Sequence, residues 1–320
     1  MSKNKQKGVD PHIQPFLDLI NTPEAQEKAR TMTVEEGRKG YLEFALLHAG
    51  WPLRIRRVED FEIPGADPNH PLPVRLYTPV LDKKLPCLIY YHGGGWQRGD
   101  IATHDSICRH LAHYGNVIVL SVEWRLDPEY PFPAGINDCL KAYEWVVANG
   151  KNLNIDTSRL AIGGDSAGGN MTAVTAQRLR KMNTTQPIFQ LLLYPALDLG
   201  CSKWSYEEFA EGYFLTSERV RCYVSQYLNS PDEVNNPLAS PLRQPDLSGL
   251  PKTHIATAEF DPLRAEGEEY AQRLKEAGIS VTYHCYEGMI HAFAHMNDTV
   301  PAVEAALQEL GGILKEALYN

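Results

Sequence analysis

Apolar residues along this 320-residue chain recur with two different spacings. Segments 54–63 and 74–77 alternate apolar and polar positions, the period-two pattern of antiparallel edge strands with one wet face. Segments 87–91 and 117–122 are instead continuously apolar, as strands buried on both faces are. Between those two, 105–114 reads as a helix. A helix over 134–149 then leads to a strand at 160–162, and a helix over 167–181 to a strand at 189–193. A strand at 253–258, a helix over 262–277, a strand at 281–286 and a last helix from 301 to about 318 complete the series. This alternation predicts an α/β protein with a mostly parallel eight-stranded sheet and helices on both faces.

Two stretches stand outside that rhythm. The first fifty residues read as helical: one short helix at 11–20, then a run through 37–49 that ends at Gly50. Thr33, Val34, Glu35 and Glu36 form a capping-box pattern that would open this second run. Segment 197–241 carries Trp204, Tyr206, Phe209, Tyr213 and Phe214, then a helix-like 217–228, then proline-rich coil. An insertion of this length between strands is more often a lid than a structureless loop. The expected organisation is an N-terminal helical part of a cap at 1–50, a core at 51–196 and 242–320, and a cap insertion at 197–241.

Composition narrows the partners. A hydrophobic content of 43% allows a large core. A net charge of −9, with no dense Lys/Arg block, argues against nucleic acid or an anionic membrane surface. The basic start (Lys3, Lys5, Lys7) runs into GVDPHIQPF, not an apolar stretch, so no signal peptide is expected. No segment has the unbroken apolar length of a membrane span. Cysteines 87, 108, 139, 201, 222 and 285 are scattered without a C-x-x-C, which reads as isolated buried thiols. The expectation is a cytoplasmic protein.

The chemistry concentrates at RLAIGGDSAGGNM, residues 159–171. An apolar strand stops at glycines, presents Ser166 between small residues and turns into a helix. Gly164-Asp165-Ser166-Ala167-Gly168 fits G-x-S-x-G, in which a serine sits on a strained strand-to-helix turn. A phosphate loop is excluded, because Gly169-Asn170 stands where Lys-Ser/Thr is required. A serine hydroxyl becomes a useful nucleophile when a base removes its proton and an acid orients that base. The turn type implies the chain order Ser, acid, His, each just past a strand. Asp261 follows the strand at 253–258, with Glu259 as the alternative. Of the later histidines, His254 and His284 fall inside strands, while His291 falls in a loop before the last helix. His291 and His295 have i, i+4 spacing but lack the glutamate of H-E-x-x-H, so no metal is expected. Upstream, His92-Gly93-Gly94-Gly95-Trp96 follows the strand 87–91, where glycines let backbone N–H groups approach a substrate.

HGGGW, WRLDPEYPFPA (124–134), GGDSAGGN (163–170), LYPALD (193–198), EFDPLRAEG (259–267) and MIHAF (289–293) together resemble the hormone-sensitive-lipase family of α/β-hydrolase carboxylesterases. The resemblance runs from about residue 74 to the C-terminus. It implies an α/β-hydrolase fold with a helical cap, Ser166 as nucleophile, His291 as base and Asp261 as its orienter. It implies Gly93, Gly94 and Ala167 as backbone oxyanion donors, with His92 holding the loop. Trp96, Trp204, Phe209 and Phe214 become the candidate substrate-binding side chains. The reaction implied is hydrolysis of small-molecule esters with short to medium acyl chains, needing no cofactor. An amidase or formamidase with the same triad is the alternative, and a non-catalytic ligand receptor on this fold is a second. Members of the family often dimerise, and the strand at 281–286 would be an edge for pairing, so a homodimer is possible. Trp124, Asp127 and Ala265 depart from the family pattern, which usually has Tyr, Ala and an acid there.

Overall fold

The two interleaved faces of one sheet account for most of the core. A computed structural model describes residues 8–320; the lysines at 3, 5 and 7 lie outside the described residues. In chain order it contains α1 (Gln14–Ile20), α2 (Pro23–Thr31), α3 (Val34–Ala49), β1 (Arg57–Ile63), β2 (Leu72–Thr78), β3 (Leu85–Tyr91), α4 (Asp105–Gly115), β4 (Ile118–Val122) and α5 (Ala134–Asn149). Then follow β5 (Ile155–Asp165), α6 (Ala167–Leu179), β6 (Phe189–Leu193), α7 (Ser205–Glu208), α8 (Ser217–Tyr227), β7 (Lys252–Phe260), α9 (Arg264–Glu276), β8 (Val281–Ile290) and α10 (Pro301–Tyr319).

The eight strands form one sheet in the order β1-β2-β4-β3-β5-β6-β7-β8. β1, β2 and β4 pair antiparallel, and every pairing from β4 through β3 to β8 is parallel. The continuous apolar segments are indeed central, with every residue of β3, β4 and β6 buried. Period-two geometry sends their side chains alternately to two cores. Ile89, Leu120 and Ile162 pack with α5, α6 and α9 residues such as Tyr143, Val174 and Tyr270. Leu88, Val119 and Ala161 pack on the other face with Leu111 of α4 and Leu310 of α10. The α/β-hydrolase arrangement of helices on both faces follows directly.

Some boundaries move. β5 runs on through Gly163, Gly164 and Asp165, because these residues still pair with Leu191–Leu193 of β6. α2 carries no buried residue, so no apolar period announced it; Thr22 caps it by accepting from the Ala25 N–H, and Pro23 starts it. The capping box of α3 is present, with Thr33 N–H donating to Glu36 Oε2 at 2.9 Å. Cys87, Cys108, Cys139 and Cys201 are buried, but Cys222 is exposed on α8 and Cys285 half-buried on the edge strand β8. No helix among the described residues is long and apolar enough to cross a membrane.

A buried acid and an arginine pin the segments outside the sheet. Glu266 of α9 accepts from the backbone N–H groups of Leu197 (2.5 Å) and Asp198 (2.9 Å) and from the Tyr206 hydroxyl (2.7 Å), fixing the start of the insertion. Beside the glycine-rich loop, Arg38 of α3 donates to the Gln97 and Asp127 carbonyls and to the Glu129 carboxylate. Asp127 itself is buried, with one weak side-chain donor, Gln97 Nε2 at 3.5 Å, and, among the described residues, no partner for Oδ1.

Burial pushes the Asp127 carboxyl from its ordinary 3.8 up to about 7, so the folded chain keeps a proton there that the unfolded chain loses. That contribution to stability is full below the unfolded value and is lost as pH rises through the folded one. Asp127→Asn should therefore raise the unfolding free energy by about 1–2 kcal/mol at about pH 8 and by much less at about pH 5. Urea denaturation at both pH values checks this, and an equal gain at both would contradict it.

Candidate active site

Ser166 joins β5 to α6 with φ 53° and ψ −118°, a left-handed conformation that a residue with a Cβ rarely adopts. Neighbours hold it there. Its N–H donates to the Leu193 carbonyl (2.8 Å), and its carbonyl accepts from the Ala196 N–H (3.1 Å). The glycines of the motif are required by space. A Cβ on Gly164 or Gly168 would overlap the Tyr91 carbonyl oxygen at the end of β3. The hydroxyl is thereby lifted clear of the sheet at the first turn of α6.

His291, just past β8, has Nε2 2.9 Å from Ser166 Oγ and Nδ1 2.7 Å from Asp261 Oδ2. Asp261 is fully buried past β7, and its Oδ1 accepts from the Leu263 N–H at 2.8 Å. That bond orients the carboxylate toward the imidazole. Glu259, the alternative acid, is occupied elsewhere, accepting from the Gly288 N–H at 2.7 Å. His254 and His284 lie on β7 and β8 and bond Thr282 and Glu309.

The glycine-rich loop departs from expectation by one residue. Gly93 N–H donates to Asp165 Oδ1 at 2.9 Å and is therefore committed inward, away from any substrate. Gly94, Gly95 and Ala167 line the cavity with Ser166 and His291, and their N–H groups have no partner among the described residues. Gly95 thus takes the place of Gly93 as a candidate donor. Positive φ at Gly94 (124°) and Gly95 (64°) is what turns those amides.

Asp165, the variable position of G-x-S-x-G, carries a role that the motif does not reveal. Fully buried, it accepts from Tyr90 (2.9 Å) and Gly93 and pairs with His104 Nε2 at 3.0 Å. Burial opposes its charge, but His104 holds the carboxyl well below the usual carboxylate range. The His104 ring meets His295 edge-on (4.7 Å), and His295 Nε2 lies 2.9 Å from the Tyr41 hydroxyl. Burial lowers His295 to about 3, so it stays neutral. A buried polar chain therefore links α3 to the loop beside Ser166. His92 stacks on Trp124 at 4.9 Å and, lowered by burial to about 4, is also neutral.

Above Ser166 opens a cavity of about 550 Å³ bounded by α1–α3, the glycine loop and residues 211–223. Phe16, Phe44 and Phe214 form a three-ring cluster in its wall, with centroids 5.1–5.4 Å apart. Trp96 borders the cavity but is buried and stacks on Tyr227 at 4.8 Å. Trp204 and Phe209 do not line it. Phe209 is buried against Trp204 and Phe260, and Trp204 lies half-exposed under the Arg264 guanidinium at 5.5 Å. Their aromatic bulk fastens the insertion to the end of β7.

The tightness of the turn is directly testable. Gly168→Ala should cost at least about 3 kcal/mol in thermal or urea unfolding, since backbone must move to admit the methyl group. A loss below about 1 kcal/mol would show that β3 and the turn are not packed this closely.

Comparison with known proteins adds relatives to this geometry. The profile of a family described as alpha/beta hydrolase fold matches residues 88–295. Carboxylesterase NlhH of Mycobacterium tuberculosis is 40% identical over 267 residues, covering 82% of this chain and 83% of its own. An arylesterase of Saccharolobus solfataricus is 36% identical over 261 residues, 81% of each chain. Among solved structures, an ester hydrolase from the metagenome of Lake Arreo superposes with a TM-score of 0.91 at 36% identity, covering 98% of this chain and all of its own.

Proposed function

Because the chain belongs to the hormone-sensitive-lipase-like family of α/β hydrolases, we propose that it is a carboxylesterase acting on short- to medium-chain acyl esters through a Ser166–His291–Asp261 triad. The observation that carries this reading is the unbroken hydrogen-bond series from Asp261 through His291 to Ser166, facing three unpartnered N–H groups in an apolar cavity. His291 takes the Ser166 proton as Oγ attacks the ester carbonyl carbon. The carbonyl oxygen becomes an oxyanion against the N–H groups of Gly94, Gly95 and Ala167, where the start of α6 adds its positive end. The C–O bond to the alcohol breaks as His291 returns the proton to the leaving oxygen. Water, deprotonated by His291, then attacks the acyl-enzyme carbonyl; the C–Oγ bond breaks as His291 returns that proton to Ser166 Oγ, and the acid leaves. Asp261 keeps the imidazole in one tautomer and stabilises its cation.

Residues 1–50 and 197–241 are proposed as the cap, and Phe16, Phe44 and Phe214 as the wall against which an acyl chain or alcohol packs. A ligand-receptor role would leave the His291–Ser166 hydrogen bond without use. Amidase chemistry would share the same tetrahedral intermediate, but the relatives described above are esterases.

Hydrolysis of p-nitrophenyl esters from acetate to laurate should peak at short to medium chains. It should fall on the order of 10⁴-fold or more in Ser166→Ala. Phe214→Ala should shift the chain-length optimum and Trp204→Ala should leave it in place. No turnover by the folded chain would sink the esterase reading, and equal effects of the two aromatic substitutions would sink the assignment of the wall.

A further inference from the structure

The cavity wall holds a cation whose charge no ion pair among the described residues answers. Of the arginines bordering the cavity, Arg30 pairs with Glu27 at 3.5 Å and Arg219 donates to the Ala29 carbonyl. The Arg98 guanidinium has neither an ion pair nor a hydrogen bond among the described residues; its Cζ lies 5.1 Å from the centroid of the Tyr223 ring. Arg98 lies two residues past Trp96 of the glycine loop, and its N–H donates to the Gly94 carbonyl at 3.1 Å. Its stem runs over that glycine, with Cγ 2.9 Å from where a Cβ on Gly94 would stand. Its far end reaches α3, with Nη2 3.0 Å from where a Cβ on Gly37 would stand. Gly94 and Gly37 both border the cavity, so the charged arm lies along the wall between the candidate oxyanion donors and the helical layer.

Tyr223 extends this arrangement. Its ring packs on Gly95, and Arg219 Cζ lies 5.9 Å from its centroid. One ring beside the glycine loop thus carries two guanidinium groups. Arg98 is only half-buried, yet it stands in a mostly apolar wall and pairs with no carboxylate among the described residues, so a planar five-donor group is underused there. Glu211 and Glu218 also border the cavity, but both are exposed, so water and salt screen them.

We propose that Arg98, supported by Arg219 across Tyr223, binds a carboxylate carried by the substrate, in the acyl or the alcohol part of the ester. The preferred substrates are then monoesters of dicarboxylic acids or esters of hydroxy acids. This rests on the esterase reading only for turnover; the chemistry at the scissile bond is unchanged.

Two matched pairs test it: mono-p-nitrophenyl adipate against p-nitrophenyl hexanoate, and 4-acetoxybutyrate against butyl acetate. In at least one pair the kcat/KM ratio of anionic to neutral ester should fall about tenfold or more in Arg98→Met, mainly through KM. Arg98→Lys should keep part of the ratio, and about 1 M salt should lower the wild-type ratio. The pair that responds identifies which part of the ester carries the carboxylate. Ratios unchanged in both pairs would overturn the proposal while leaving the esterase reading intact. Loss of neutral-ester turnover in Ser166→Ala supports that reading independently. Calorimetry of monobutyl adipate and 4-acetoxybutyrate on the Ser166→Ala chain, with and without Arg98→Met, reads binding even without turnover. Binding of either that requires Arg98 supports the proposal, and binding of neither, or binding indifferent to Arg98, overturns it.

Discussion

The carbonyl oxygen of Tyr91 lies where no Cβ can stand on Gly164 or Gly168. This contact between the end of β3 and the β5–α6 turn is the constraint on which the site depends. The parallel register places Tyr91 opposite Gly164, so both strands finish at the same edge of the sheet. The glycine-rich loop leaves from one strand and Ser166 from the other, side by side. Parallel sheets put their strand ends together in this way, which is why loops at that edge can assemble a site from distant parts of the chain. Asp261 and His291 reach the same edge from β7 and β8.

That packing also brings Asp165 under the loop. Its carboxylate accepts from Gly93 N–H and so turns this amide down, leaving the next two glycines to face the cavity. A buried ion of this kind is costly unless its oxygens are answered, and Tyr90, Gly93 and His104 answer one of them. Oδ2 has no partner among the described residues, so the balance depends on the ring of His104 staying in place. His104 packs against His295, and His295 against Tyr41 of α3. The helical layer that closes the cavity is therefore mechanically joined to the loop that would bind an oxyanion.

Much of this was legible in the sequence, for reasons that differ by element. Buried strands announce themselves because two wet-free faces demand continuous apolar residues, as at β3 and β4. Ser166, His291 and Asp261 could be picked out because the expected chemistry requires particular residue types just past particular strands, and the fold brings all three within hydrogen-bond distance. The shift from Gly93 to Gly95 was not legible, since three consecutive glycines look alike until Asp165 claims one amide. Trp204 and Phe209 show a similar limit: an aromatic in an insertion can face a cavity or fasten the insertion to the core, and composition does not distinguish the two. α2 left no apolar period because it buries nothing.

The central claim is that Ser166 is the nucleophile of an assembled triad. Reaction with a fluorophosphonate probe, followed by peptide mass spectrometry, tests it most directly. One adduct per chain is expected, on Ser166, with labelling strongly slowed in His291→Ala. No adduct on the folded chain, or an adduct on another residue that persists in Ser166→Ala, would contradict it.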